Sequence, residues 1–369
     1  MASRYPESAT SSVAESSASS STENSESSSK APRLPALEMN EKIGSGAFGD
    51  VWAAKWTGER DAAVWKEPHV AVKVPHRRLG KCPEWRKSFR EEGKLVKGLN
   101  HPNIIRVHHM LTYHGLPYIV MELAELGDLR EYMSNMEGQA DLEFDERPYA
   151  MCEGIAGGMQ YLEERGIVHR DLAARNVLVT SSHTCKICDF GLTRSLTKLA
   201  PETQCSDGAN YVFASKVWDE EGMVPLLWSA PEAFEQIASS KSDVWSFGVL
   251  LWEVFSYGEE PYKSLGIPGL DSGQAGSRVT ALLGFLESGK RLKRPSECRR
   301  NTFDMMKTMW KMSPDERPTF ASIKWQMKMM CDLFMLGDGP DVHYGSTCPF
   351  HQVPMLICYE KHEDYYGFL

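Results

Sequence analysis

The sequence has no long apolar run, no excess of basic charge and no paired pattern of cysteines. No stretch of 18 residues is wholly apolar, and Ser246, Gly248 and Glu253 interrupt the nearest candidate, Val244–Phe255, so no transmembrane helix is predicted. The 41 basic and 50 acidic side chains give a net charge of −9, which disfavours a nucleic-acid-binding surface. The nine cysteines are scattered, and no hydrophobic signal segment precedes them. This pattern predicts free thiols and a cytoplasmic location, with any membrane contact made through partners.

The two ends of the chain differ in composition from its middle. Residues 1–30 contain 13 serines and almost no large apolar side chains, so a disordered tail is predicted over residues 1–36. After Pro35 the pattern becomes globular, and residues 37–336 are assigned to one folded domain. Residues 337–369 mix glycine, proline, cysteine, histidine and tyrosine without periodicity, and are predicted to form a C-terminal tail.

Strand-like runs come first in the folded part, and helix-like segments follow. The early runs are rich in β-branched and aromatic residues, and one early helix is predicted around Phe89–Leu99. This order predicts an α+β fold with a small strand-rich N-terminal lobe, a larger helical C-terminal lobe and a cleft between them. The predicted strands are Glu41–Ile43, Val51–Trp56, Val70–Val74, Ile104–Leu111 and Tyr118–Glu122, and the later helices are Tyr149–Glu164, Ser242–Tyr257 and Asn301–Lys311.

The segment Ile43–Val51 contains a G-x-G-x-x-G pattern between two predicted strands. Glycines allow backbone N–H groups to approach phosphate oxygens closely, although such triplets are also ordinary turns. Lys73 follows at the end of an apolar strand, where a solvated lysine would be unremarkable. A carboxylate on the next helix would instead aim its ammonium at a nucleotide, and Glu92 is favoured for this over the competing Glu91.

A second group of polar residues lies in the middle of the chain. Asp171 and Asn176 are five positions apart in one loop, and Asp189 follows 18 residues after Asp171. One aspartate can accept a hydroxyl proton, while the amide and the other carboxylate are hard oxygen ligands suited to Mg²⁺ on a triphosphate. Cys185 and Cys188 have the spacing of a zinc site, but a buried strand leading into Asp189 explains them better.

These motifs, in this order from about residue 37 to residue 335, resemble the protein kinases, and within them the tyrosine kinases. Ala173 stands where serine/threonine kinases usually carry lysine, and the segment Pro225–Glu232 is similar to the tyrosine-kinase form. Leu227 replaces a basic residue common in tyrosine kinases and is similar to kinases of the ACK type. The family pattern also implies an ion pair between Glu232 and Arg317.

The resemblance implies ATP and Mg²⁺ as cofactors and tyrosine-bearing proteins as substrates. It implies a glycine-rich loop over the phosphates, adenine contacts from the strands and from the hinge between lobes, a gatekeeper, a base, and metal ligands. Arg175 would neutralise charge near the substrate hydroxyl, and with Lys73 and Asp171 it completes the catalytic set. In this sequence the nucleotide set is Ile43, Gly44, Ser45, Gly46, Ala47, Phe48, Gly49, Val51, Ala71, Lys73, Glu92, Met121 as gatekeeper, Glu122 and Ala124 at the hinge, and Leu178, and the metal set is Asn176 and Asp189.

The segment from Asp189 to Glu232 is longer than the family usually has, and Tyr211 is the single tyrosine within it. A phosphate on Tyr211 would bond to Arg170 and order the segment, whereas a tyrosine that merely packs is the simpler alternative. Two other functions compete with an active tyrosine kinase. One is a pseudokinase scaffold, against which the complete set of motif residues argues, and the other is a dual-specificity or serine/threonine kinase, against which Ala173 argues.

Overall fold

The structure, a computed structural model, describes residues 34, 36–46, 49–58, 68–76, 83–138, 145–191, 194–195, 212–213, 225–235, 237–272 and 274–335. Within these ranges the chain forms a strand-rich part followed by a helical part. The predicted α+β, two-lobed architecture is therefore confirmed.

The N-terminal lobe is built on an antiparallel sheet, which within the described ranges has five strands. The strands are β1 (Leu37–Gly46), β2 (Gly49–Trp56), β3 (His69–Pro75), β4 (Val107–Tyr113) and β5 (Leu116–Glu122). Their order across the sheet is β1-β2-β3-β5-β4. The register sets Val51 of β2 opposite Lys73 of β3, and Ala71 of β3 opposite Met121 of β5. The central strand β3 thus holds the lysine in the middle of a rigid sheet.

Helix α1 (Pro83–Lys97) crosses the sheet and packs on β4 and β5. Its buried face carries Phe89, Val96 and Gly93, three or four residues apart, as an amphipathic helix requires. A Cβ on Gly93 would lie 2.6 Å from the Met110 Cε atom, so a larger residue here would displace the end of that methionine side chain. The packing of α1 on the sheet brings the preceding residue, Glu92, to the edge of the cleft.

The C-terminal lobe is helical and is organised around α4 (Ser240–Phe255), whose residues from Ser242 to Phe255 are all buried. A helix that is apolar on every side belongs at the centre of a core, and α4 contacts α2, α3 and α6. The other helices are α2 (Leu129–Met136), α3 (Arg147–Glu163), α5 (Ala275–Glu287), α6 (Arg300–Met309) and α7 (Phe320–Met335). Short antiparallel strand pairs complete this lobe: β6 (Ile167–Val168) with β9 (Arg194–Ser195), β7 (Val177–Val179) with β8 (Cys185–Ile187), and β10 (Val212–Phe213) with β11 (Ile237–Ala238).

Backbone hydrogen bonds join the two lobes. Ile105 N–H donates to the Ile187 carbonyl at 2.9 Å, and Ile187 N–H donates to the Asn103 carbonyl at 2.8 Å. The hinge segment after β5 is fastened in the same way, because Leu126 N–H donates to the Val179 carbonyl at 3.0 Å. Within the described residues no helix is both long and apolar enough to cross a membrane.

Candidate active site

The first feature of the cleft is an ion pair between the sheet and α1. Lys73 Nζ lies 2.8 Å from Glu92 Oε1 and 3.3 Å from Asp189 Oδ1. The Lys73 and Glu92 side chains are only 12% and 10% exposed, whereas Glu91 is exposed to solvent. Burial alone would lower the pKa of Lys73, but the charges of Glu92 and Asp189 raise it above its usual value. The predicted Lys73–Glu92 pair is confirmed, and Glu91 is excluded as the partner.

The second feature is the loop that carries Asp171. Arg175 Nη2 donates to Asp171 Oδ1 at 2.6 Å, and Asn176 Nδ2 donates to the Asp171 carbonyl at 2.7 Å. Burial raises the pKa of Asp171 to about 6, even though the charge of Arg175 acts to lower it. At neutral pH this carboxylate is ionised and close to its pKa, which suits a group that accepts a proton.

The catalytic loop is held by an acidic residue to which the sequence motifs assigned no role. Asp243 of α4 is fully buried and accepts the N–H groups of His169 at 2.7 Å and of Arg170 at 2.9 Å. Arg170 needs this support because its φ of +72° lies in the left-handed region, which non-glycine residues rarely occupy. The sequence signal was an acidic residue at the start of an otherwise apolar helix.

Asp189 is placed beside this loop by a hydrogen bond between their backbones. Cys188 N–H donates to the Asn176 carbonyl at 2.9 Å, which holds the residue before Asp189 against the loop. Asp189 has a φ of +57°, and Phe190 behind it is buried with its ring centroid 5.0 Å from that of His169. Lys73 lowers the pKa of Asp189 against the effect of burial, so the carboxylate stays ionised.

The donor set at this point fits a divalent cation bound to a triphosphate. The Asn176 amide nitrogen is used by the Asp171 carbonyl, so the amide oxygen is the atom that can face a cation. Together with the Asp189 carboxylate it gives the hard oxygen ligands that Mg²⁺ prefers, and the Lys73 ammonium supplies positive charge for phosphate oxygens. These residues are the ones that would hold Mg²⁺ and ATP.

The residues predicted to surround the adenine lie on strands β2, β3, β5 and β7. Ala71 and Met121 are buried opposite each other in β3 and β5, and Val51 and Leu178 are half-buried against the same core. At the hinge, the Arg106 N–H donates to the Glu122 carboxylate at 2.6 Å and not to its carbonyl. Ala124 follows in the half-exposed hinge.

The predicted glycine-rich loop is the turn between β1 and β2. Ile43 is 46% exposed on its outer side, and Ser45 Oγ donates to Asp50 Oδ1 at 2.8 Å across the hairpin. A Cβ on Gly49 would lie 2.2 Å from the Val74 carbonyl oxygen, whereas one on Gly44 would make an ordinary contact with Val51. The packing of the sheet therefore requires glycine at position 49, in addition to any requirement from a bound phosphate. Ala47 and Phe48, like Tyr211, lie outside the described residues, and of Gly46 only the backbone is described.

Near its end, the long segment forms a platform turn, Leu226–Trp228, which begins at Pro225. Arg175 stacks on the Trp228 ring, with Cζ 4.2 Å from the ring centroid. Beneath it, Glu253 of α4 accepts bonds from both the Ala174 N–H and the Trp228 indole N–H. Trp228 and Glu253 are thus site residues to which the sequence motifs assigned no role.

Two further sequence expectations are settled by the geometry. The ion pair implied between Glu232 and Arg317 is confirmed as a two-pronged contact, with Nη1–Oε1 at 2.6 Å and Nη2–Oε2 at 2.8 Å. The strand interpretation of the cysteine pair is also confirmed, because Cys185 is a buried residue of β8 and Cys188 directly precedes Asp189. Burial raises the pKa of the Cys185 thiol to about 12, which opposes the thiolate form that zinc requires.

This combination of motifs and geometry agrees with a comparison against protein-family models. The model described as protein tyrosine and serine/threonine kinase matches residues 37–327. The chain belongs to this family.

Similar curated proteins narrow the position of this kinase within the family. It is 38% identical over 300 residues to tyrosine-protein kinase Srms of Mus musculus. The aligned region covers 81% of this chain and 52% of that relative. It is 34% identical over 294 residues to tyrosine-protein kinase FRK of Homo sapiens, covering 79% and 51%. The transforming protein Fps of Fujinami sarcoma virus, also named a tyrosine-protein kinase, is 36% identical over 286 residues, covering 77% of the chain and 28% of the viral protein.

These relatives confirm the predicted resemblance to the tyrosine group of kinases. They lend no support to the finer resemblance to the ACK type. The chain spans about half the length of the Srms and FRK relatives, at 52% and 51%.

Proposed function

We propose that this kinase transfers the γ-phosphoryl group of ATP to tyrosine hydroxyls of protein substrates. The observation that carries the proposal is the joint placement of Asp171, Arg175 and the Lys73–Glu92–Asp189 cluster in one cleft. The tyrosine choice is supported by buried Ala173, where a serine/threonine kinase would place lysine, and by relatives that are named tyrosine-protein kinases.

The chain's own groups have separable tasks in this reaction. Asp171 Oδ1 is occupied by Arg175, so Oδ2 is the oxygen that accepts the proton of the substrate hydroxyl. Arg175, fixed between Asp171 and the Trp228 ring, holds positive charge where the hydroxyl and the transferred group meet. Lys73 orients the phosphates, and Glu92 holds Lys73 in place.

Asn176 and Asp189 are proposed as the ligands of Mg²⁺. The bound cation would neutralise charge on the β- and γ-phosphate oxygens. Asp189 Oδ1 lies 3.3 Å from Lys73 Nζ, which supports the proposal that the metal ligand and the phosphate-orienting lysine act on the same triphosphate.

Further expectations from the sequence extend this proposal. We propose residues 37–336 as the kinase domain, with tails on either side, and ATP contacts from the glycine-rich loop, including Ala47 and Phe48. A phosphate on Tyr211 would bond to Arg170 and order the long segment. Tyrosine-bearing proteins as substrates and a cytoplasmic location complete the proposal.

The deciding experiment measures Mg-ATP-dependent phosphorylation of a poly-Glu/Tyr substrate by the purified chain, with Asp171→Asn alongside. We expect phosphotyrosine from the wild type and a loss of about 100-fold or more in the variant, because its base is removed. The matched control is Asp304→Asn, a surface aspartate 45% exposed and paired only with Lys307 among described contacts, which should keep full activity.

Each other result counts against a stated part of the proposal. Phosphoserine or phosphothreonine in place of phosphotyrosine would establish a serine/threonine or dual-specificity enzyme. A folded wild type that neither transfers phosphate nor binds ATP would establish a scaffold of the pseudokinase kind. Equal activity in the wild type and Asp171→Asn would remove Asp171 from the mechanism.

A further inference from the structure

Glu253 is a fully buried carboxylate in the centre of the helical lobe, close to the catalytic loop. Its Oε2 atom accepts the Ala174 N–H at 2.9 Å and the Trp228 indole N–H at 2.8 Å. Its Oε1 atom is also buried and has no hydrogen-bond partner among the described residues. A buried carboxylate with one unpaired oxygen is costly, so its presence in an otherwise apolar helix calls for an explanation beyond packing.

Both donors to Glu253 adjoin Arg175, Ala174 as its neighbour in the chain and Trp228 through its ring. Ala174 directly precedes Arg175, so its backbone bond to Glu253 fixes the position of the loop from which the guanidinium extends. Trp228 closes the platform turn, and its ring carries that same guanidinium at 4.2 Å from Cζ. Arg175 Nη2 then donates to Asp171 Oδ1 at 2.6 Å. The Oε2 atom of Glu253 therefore fixes both the catalytic loop that carries Arg175 and the Trp228 ring on which Arg175 stacks.

We propose that Glu253 is a positioning residue that locks the platform turn to the catalytic loop and so sets Arg175 over Asp171. Its acceptor oxygen, and not its negative charge, performs this task. Burial supports the second point, since it raises the pKa of Glu253 to about 7 despite the bonds from Ala174 and Trp228 and the charges of Arg175 and Arg130. The inference deepens the proposed kinase function and rests on it.

Two variants separate the acceptor from the charge. Glu253→Gln keeps an oxygen that can accept both N–H groups, so we expect kcat and the KM for a tyrosine peptide to stay within about threefold of wild type. Glu253→Met keeps the volume but removes the acceptor, so kcat/KM for the peptide should fall about tenfold to 100-fold while the KM for ATP stays within about twofold. A purely structural role would instead lower thermal stability and leave the peptide and ATP constants unchanged in the folded fraction.

A third variant tests the path through the indole. Trp228→Phe keeps an aromatic ring under Arg175 but removes the N–H, so kcat/KM for the peptide should fall, but by less than in Glu253→Met. This variant still tests the connection if Glu253→Met does not fold. The double variant should be no worse than Glu253→Met, because both changes break one connection. The matched control is Trp252→Phe, the neighbouring α4 residue whose indole N–H donates to the Lys293 carbonyl at 2.8 Å, remote from the platform turn, and it should not change peptide kinetics.

Peptide affinity in the presence of a non-hydrolysable ATP analogue provides a readout that does not depend on turnover. Weaker peptide binding in Glu253→Met, with nucleotide affinity retained and restored peptide binding in Glu253→Gln, would support the inference. Normal peptide affinity and kinetics in Glu253→Met, additive losses in the double variant, or a Glu253→Gln defect as large as that of Glu253→Met would overturn it. An inactive wild type that still binds peptide in a Glu253-dependent way would refute the proposed function and keep the inference.

Discussion

At the scale of single residues, burial decides how Asp171 can act. Burial of the carboxylate, whose side chain is 18% exposed, favours its neutral form, while Arg175 at 2.6 Å favours the charged form. The balance leaves the pKa at about 6, well above that of a solvated aspartate. The Asp171 carboxylate is therefore a stronger base than a solvated aspartate, but it becomes protonated in mildly acidic solution.

The pH dependence of peptide phosphorylation follows from this balance. Asp171 accepts a proton only when ionised, so kcat/KM should fall as the pH drops through about 6 and reach a plateau above about 7. A cation held by Asn176 and Asp189 would lower the pKa of Asp171, which makes about 6 an upper limit for the half-point. Initial rates between pH 5 and 8 at fixed Mg²⁺ measure it. An acid limb centred well above pH 6 would contradict the assignment.

Glu92 and Glu91 offer a matched pair for testing the ion pair with Lys73. Glu92→Gln removes the charge that holds the ammonium at 2.8 Å, so the KM for ATP should rise and kcat should fall, together about tenfold or more in kcat/KM. Glu91→Gln changes an exposed neighbour on the same helix and should leave both constants unchanged. Equal effects of the two substitutions would mean that helix stability, and not the ion pair, is responsible.

The reacting residues were predictable from sequence, whereas their supports were not. Lys73, Asp171 and Asp189 lie in short motifs whose spacing reflects a local backbone task. Asp243 and Glu253 act on segments that are 25 to 79 residues away in the chain, so no local spacing identifies their partners. Their one signal was acidity inside an apolar helix, a pattern that indicates buried hydrogen bonding without naming the partner.

At the scale of elements, the sheet of the small lobe constrains its glycines unequally. Gly49 faces the Val74 carbonyl oxygen, and the space there admits no Cβ, whereas Gly44 has room for one against Val51. Gly49→Ala should therefore push β2 from β3 and lower the free energy of unfolding by about 2 kcal/mol or more. Gly44→Ala should lower it by no more than about 0.5 kcal/mol. Thermal and denaturant unfolding compare the two, and equal losses would show that β3 moves aside.

Element type was better predicted than element boundaries. The strand predicted over Ile104–Leu111 is wrong at its start, because β4 runs over Val107–Tyr113. Ile104 and Ile105 have the side chains of a strand, but they pair with Ile187 of the other lobe. The predicted strand Glu41–Ile43 is likewise too short, since β1 extends over Leu37–Gly46 with an irregular register after Met39. A β-branched run indicates an extended backbone and does not indicate its partner.

At the scale of the whole molecule, one tryptophan links distant parts of the helical lobe. Trp245 of α4 is fully buried between two guanidinium groups, with Arg317 Cζ at 5.1 Å and Arg291 Cζ at 5.3 Å from its ring. Arg291 is the first residue of a short basic cluster, Arg291–Arg294. Its guanidinium nevertheless donates to the carbonyls of Trp310 and Leu286. Part of this cluster is therefore internal structure and not a free basic surface.

Arg317 is the most connected of these cations and gives the last prediction. Its side chain has no exposed surface, and besides Glu232 it donates to the carbonyls of Lys311, Lys241 and Met312. Arg317→Met would strand the Glu232 carboxylate, only 12% exposed, and should cost about 3–5 kcal/mol of unfolding free energy.

The comparison variants show whether the fork geometry or the charge matters. Arg317→Lys keeps one positive charge but cannot make the two-pronged contact or reach three carbonyls, so it should recover less than half of the loss. Lys328→Met breaks an exposed pair with Asp332 on α7 and should change stability by no more than about 0.5 kcal/mol. Full recovery by lysine would reduce the contact to simple charge pairing. Glu232 ends the long segment that follows Asp189. A loss of unfolding free energy in Arg317→Met and Arg317→Lys, with none in Lys328→Met, would therefore couple the position of that segment to the stability of the whole helical lobe.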